Sequence, residues 1–197
     1  MKPTENSRVE NHPLEPFLPE NAEVVILGSF PPKEERWRMR FYYPNFQNDM
    51  WRIFGIVFFD DKEHFLIPDR QTFDEAKIRT FLTLKGIAMS DTAKSVTRHK
   101  DNASDKFLEI VEPNPPSFFL QRLPQLKTFV TTGQKATDTL LSFTDAQQPN
   151  VGGFTEFTLN NQLLQLYRMP SSSRAYPMAL DKKAAFYKAM FEELRYL

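Results

Sequence analysis

The residues best suited to chemistry lie in one long loop. Gly28-Ser29-Phe30-Pro31-Pro32 leads, further on, into Arg38–Trp51, read RMRFYYPNFQNDMW. Arg36, Arg38 and Arg40 alternate there with Trp37, Phe41, Tyr42, Tyr43 and Phe46. Guanidinium groups hold phosphates and aromatic faces stack on bases, so this interleaving suits a nucleic-acid ligand. The same composition suits a loop packed under its own aromatics with solvated arginines. Three other segments carry polar groups of use: Ser90-Asp91-Thr92, Thr132-Gly133-Gln134-Lys135, and Met169-Pro170-Ser171-Ser172-Ser173-Arg174. Serine hydroxyls and loop N–H groups donate to phosphate. A glycine opening a helix offers an anion or ligand site, though the spacing of a P-loop is missing. Asp91 could orient a water or cap a turn.

The elements that must position these residues follow from periodicity. Ala22–Leu27 is short, β-branched and continuously apolar, as in a strand buried on both faces of a parallel sheet. Ile87–Met89, Thr128–Thr131 and Leu163–Arg168 read as further strands, and Phe154–Leu159 as an edge strand or hairpin arm. Helices are expected from Asp49, over Phe73–Leu84, at Lys106–Glu112, from Pro115–Pro116 to Leu123, and from Gly133 to about Ser142. Leu180, Ala184, Tyr187, Phe191 and Leu194 repeat at helical spacing near the C-terminus. Ser90–Asp105 reads as a polar connection. Strands alternating with helices predict a three-layer α/β/α sandwich around a mostly parallel four-stranded sheet. Ligands of such sheets bind beyond the carboxyl ends of the strands, where the polar segments fall.

Composition narrows the function classes. The 197 residues contain no cysteine, which excludes disulfides, a thiol nucleophile, Cys-ligated zinc and iron–sulfur clusters. His12, His64 and His99 are scattered without ligand spacing, so no metal is expected. There is no G-x-S-x-G elbow for serine hydrolysis. No run reaches the roughly 18–20 apolar residues of a membrane span, and the N-terminus lacks an apolar signal core. The expectation is a cytoplasmic protein with residues 1–20 as a polar tail and 21–197 as a single domain. Lys+Arg equals Asp+Glu at 25 each, so any anionic partner must be met by a local patch.

The motifs carry a resemblance. LGSFPP followed by FYYPNFQNDMW resembles the first motif of the hypoxanthine-DNA glycosylase branch of the uracil-DNA glycosylase superfamily: Gly28, Ser29, Pro31, Tyr42, Tyr43, Asn48 and Trp51. GIAMSDTAK is similar to that branch's Gly-Ile-Ala-Leu-Trp-Asp stretch, Ser104-Asp105 to its Ser-x-Asp loop, TTGQKA to its Asn-Gly-x-x-Ala helix start, and MPSSSRAY to its Pro-Ser-x-Ser loop. Ser90, Thr132 and Arg174 depart from those patterns, standing where the branch has Trp, Asn and Pro. The resemblance implies a uracil-DNA glycosylase-like domain that works without a cofactor. Such an enzyme flips a deaminated base, hypoxanthine or uracil, out of DNA and hydrolyses its N-glycosidic bond. It implies Asn48 as the catalytic residue. The base pocket would comprise Gly28, Ser29, Phe30, Pro31, Tyr43, Phe46, Asp91 and Thr132, with Tyr43 or Phe46 stacking on the base. Ser171, Ser172, Ser173, Arg174, Arg98 and Lys100 would contact the DNA. The expected partner is DNA carrying a damaged or mismatched base, bound by a monomer, with no membrane involved. Two other readings stay open: an inactive nucleic-acid-binding module of the same fold, and an α/β hydrolase acting on nucleosides.

Overall fold

The computed structural model describes residues 8–99 and 107–197. Strands β2 (Val24–Gly28), β5 (Ile87–Asp91), β8 (Thr128–Thr132) and β10 (Gln162–Met169) run parallel, and β9 (Phe154–Leu159) closes one edge antiparallel. The five strands lie in the order β5-β2-β8-β10-β9. The expected four parallel strands are therefore present, with the anticipated edge arm as a fifth. Every residue of β2, β5 and β8 is buried, as continuous apolar strands covered on both faces require. Asn160 and Asn161 join β9 to β10 with φ of 52° and 62°, the left-handed pair that a two-residue hairpin turn demands.

Side chains alternate across this sheet into two cores. Val24, Ile26, Met89, Val130 and Tyr167 face α1 (Met50–Phe59), α2 (Glu75–Lys85) and α5 (Leu180–Glu193). Val25, Leu27, Ala88, Phe129 and Leu166 face α3 (Pro116–Leu120) and α4 (Gln134–Leu141). The α2 helix starts on an Asp74 carboxylate that accepts the Lys77 N–H, and stops at Gly86, where φ is 65°. A two-stranded ribbon, β3 (Leu66–Ile67) and β4 (Thr72–Phe73), precedes it.

A second, antiparallel sheet was not expected. It comprises β1 (Val9–Asn11), β6 (Ala93–Arg98) and β7 (Leu108–Pro113), with β6 in the middle. The stretch read as a polar connection thus contains β6, and the helix read at Lys106–Glu112 is instead strand β7. Its residues alternate, Leu108 and Ile110 turned toward Phe30, Ala93 and Val96, and Glu109 and Val111 exposed. From Arg8 onward the supposed tail is docked: β1 pairs with β6, and Phe17 bridges Met89. No helix among the described residues is long and apolar enough to cross a membrane.

Candidate active site

The carboxyl ends of β2, β5, β8 and β10 converge on one edge. Gly28 lies level with Asp91, Leu27 with Thr131, and Thr132 with Met169. The loops leaving them enclose a cavity of about 270 Å³, near the lower end of ligand-pocket sizes (roughly 300–1,000 Å³). Seven of the eight residues expected in the base pocket line it: Gly28, Ser29, Phe30, Pro31, Tyr43, Asp91 and Thr132. Asn48 and the expected Ser171–Arg174 loop line it as well, together with Arg36 and Gln47.

Phe46 is the exception. Its ring packs 5.3 Å from that of Phe73 and takes the Arg52 guanidinium at 4.6 Å, so it belongs to the core under α1. Arg98 also departs from the expected DNA contact. Its side chain is only 4% exposed, pairs with Glu10 at 3.1 Å and donates to the Pro31 carbonyl at 3.1 Å. It braces the cavity's first loop from behind rather than meeting solvent. Lys100 lies outside the described residues, as does Ser104-Asp105.

Each wall has a local cause. Gly28 admits Asp91: a Cβ there would stand 2.5 Å from Asp91 Oδ1 and 3.3 Å from the Tyr43 hydroxyl. Tyr43 adopts a φ of 53°, uncommon for a bulky residue and held by its surroundings. Its hydroxyl bonds Thr132 Oγ1 at 2.9 Å across the cavity floor. The loop between Gly28 and α1 is pinned where Trp51 Nε1 donates to the Tyr42 carbonyl at 3.1 Å. Burial, then the neighbouring Asp91 charge, pushes the Tyr42 phenol far above its ordinary range, so it remains a donor to the Glu15 carbonyl.

Asn48 sits just before α1. Its Oδ1 accepts the Met50 N–H at 2.9 Å, which fixes the amide at the helix entrance. Its Nδ2 has no hydrogen-bond partner among the described residues. Ser29 Oγ is buried and likewise unpartnered among them.

The serine loop is self-capped. Ser171 Oγ accepts the Ser173 N–H and Ser173 Oγ accepts the Ala175 N–H, both at 3.2 Å, which leaves each O–H proton available to a ligand. Ser172 is buried, and its carbonyl takes the Asp49 N–H at 3.0 Å. Arg174 donates to Asp49 Oδ1 at 3.0 Å and to Gln47 at 3.3 Å. Lys183 of α5, 1% exposed, reaches Asp49 Oδ2 at 3.4 Å and the Ser173 carbonyl at 2.8 Å.

Sequence reasoning missed Asp49 and Lys183, which join the two loops, and it missed His12. His12 Nε2 lies 2.8 Å from Asp91 Oδ2, although the two are 79 residues apart. No spacing rule links them. Asp91 was placed in the pocket from its strand exit, but nothing in the sequence pointed from it to His12. Among the described residues, no cluster of three or more His, Cys, Asp or Glu could hold a metal ion.

No protein-family model matches the chain. The chain is 30% identical over 119 residues to the hypoxanthine DNA glycosylase of Methanosarcina acetivorans, covering 60% of this chain and 68% of that protein. The solution structure of a candidate uracil DNA glycosylase from the same organism superposes with a TM-score of 0.63 at 23% identity, over 95% of this chain and 99% of that one. That second likeness establishes the fold. With the motifs gathered around one cavity and a curated relative matched over two thirds of its length, the chain belongs to the hypoxanthine-DNA glycosylase branch of the uracil-DNA glycosylase superfamily.

Proposed function

We propose that this chain is a DNA glycosylase that excises a deaminated base, hypoxanthine or uracil, and leaves an abasic site. The observation that carries the reading is Asn48: its amide is locked through Oδ1, its Nδ2 has no hydrogen-bond partner among the described residues, and it shares a small cavity with Asp91 and Ser29. A base inside the duplex cannot reach such a cavity. The nucleotide must be flipped, at a cost of a few kcal/mol that is smallest for mispaired bases.

The C1′–N bond then breaks heterolytically. Its electron pair stays on the base nitrogen, and the sugar becomes an oxocarbenium-like cation. Asn48 Nδ2 donates to the departing base anion, which later takes up a proton. A water adds its oxygen to C1′ and releases its proton to the Asp91 carboxylate and thence to solvent. Tyr43 lines the cavity where a flipped base would stack, a contact worth about 1–3 kcal/mol. The hydroxyls of Ser171 and Ser173, with Arg36 and Arg174 at the mouth, face the flanking phosphates.

The test is a cleavage assay. Duplexes carrying one hypoxanthine or one uracil opposite each base are incubated with the protein and then treated with alkali. The wild type yields strand breaks at the lesion. Asn48→Ala, still folded, loses about 10²–10³-fold in rate, the scale of one lost anion-stabilising donor. Near-normal turnover by that variant would remove Asn48 from the mechanism. Binding without cleavage on every duplex and single strand would identify a binding module instead.

A further inference from the structure

We propose that His12 is a positioning residue for this reaction, acting through Asp91; the inference rests on the glycosylase reading above. A carboxylate at a cavity wall can rotate and present either oxygen. Here both side chains are largely buried, 9% and 7% exposed, and the Nε2–Oδ2 hydrogen bond of 2.8 Å secures one oxygen. The Asp91 backbone carbonyl is held separately by Asn114 Nδ2 at 3.0 Å. That leaves Oδ1, which lies against Gly28 at the cavity wall and has no protein donor among the described residues.

The imidazole is itself held. Phe30 meets it edge-on at 5.1 Å and Tyr42 lies tilted by 33° against it at 5.9 Å. Nδ1 faces the Leu14 backbone, where it can accept the Leu14 N–H (3.1 Å) or donate to the Leu14 carbonyl (2.9 Å). The Asp91 carboxylate can only accept, so the 2.8 Å contact calls for a proton on Nε2; Nδ1 then accepts from the Leu14 N–H in the neutral ring or donates to the Leu14 carbonyl in the imidazolium. The geometry is that of an orienting group behind an acting one: the partner fixes the direction of the group that meets the water. The N-terminal segment is in this way part of the site, although it contributes no wall to the cavity.

The experiment compares His12→Phe with His12→Gln, alongside Asp91→Asn, in single-turnover cleavage and in DNA binding. Phenylalanine keeps a ring between Phe30 and Tyr42 but has no donor. Glutamine loses the ring and keeps an N–H within reach of Asp91. Thermal melts confirm that each variant is folded. The expected result is a slowing of about 10–100-fold for His12→Phe, the scale of lost outer-shell partners, with unchanged DNA affinity and with most of the rate restored in His12→Gln. Wild-type rates in His12→Phe, equal losses in both His12 variants, or wild-type rates in Asp91→Asn would each overturn the inference while leaving the glycosylase reading intact. A wild-type protein that cleaves no lesion would overturn both.

Discussion

Asp49 and Asp91 are two buried carboxylates beside the same cavity, and they are satisfied in opposite ways. Asp49 is saturated: its N–H goes to Ser172, one oxygen to Arg174 and the other to Lys183. Asp91 keeps one oxygen on His12 and leaves the other at the cavity wall. A carboxylate with both oxygens held by cations fastens structure. A carboxylate with one oxygen held is oriented and still able to accept a proton. Burial alone does not separate these roles, because both residues are more than nine-tenths buried. The number of open lone pairs does.

The largest expected effect breaks this contrast on the Asp91 side. Asp91→Asn keeps the shape of the side chain and removes its capacity to take a proton. Its single-turnover rate should fall about 10²–10⁴-fold, the usual worth of a positioned acid–base group, with the urea midpoint nearly unchanged. A large stability loss in that variant would place Asp91 with Asp49 as a fastener. Asp49→Ala should behave in reverse. It leaves Lys183 buried without its carboxylate and should cost about 3–5 kcal/mol in urea unfolding. Adding Lys183→Met should recover part of that loss, because the stranded charge is gone. No recovery would show that Asp49 acts through the Ser172 contact rather than through its cations. The smallest effect concerns two arginines that sequence alone treats alike. Arg36 is exposed at the mouth, so Arg36→Met should lower the salt slope of DNA binding by about one ion. Arg98→Met should leave the slope untouched, since that guanidinium is already engaged by Glu10.

The parts of the molecule that sequence revealed are those governed by strong local rules. Continuous apolar runs such as Val24–Leu27 have few alternatives to a doubly covered strand, and Gly28 and Gly86 mark where elements stop. The exits of those strands, and hence most of the cavity, followed directly. The second sheet was illegible because an antiparallel strand with one solvated face is half polar. Its β7 carries Glu109 and Glu112 among apolar residues, a pattern that a short helix can also present. Phe46 and Arg98 were misplaced for a different reason. An aromatic or an arginine in a loop has equal chemical credentials whether it faces the ligand or the core, and only packing decides. His12 was beyond reach because its partner is set by the docking of β1 on β6, a long-range event without a local signature.

The Asp49 junction fixes more than stability. It ties Asn48's end of one loop to Arg174 in another, across 125 residues of chain, and α5 clamps the same point through Lys183. The two lips of the cavity are thereby cross-braced at a single buried carboxylate, so that a change at Asp49, Arg174 or Lys183 reaches both loops at once.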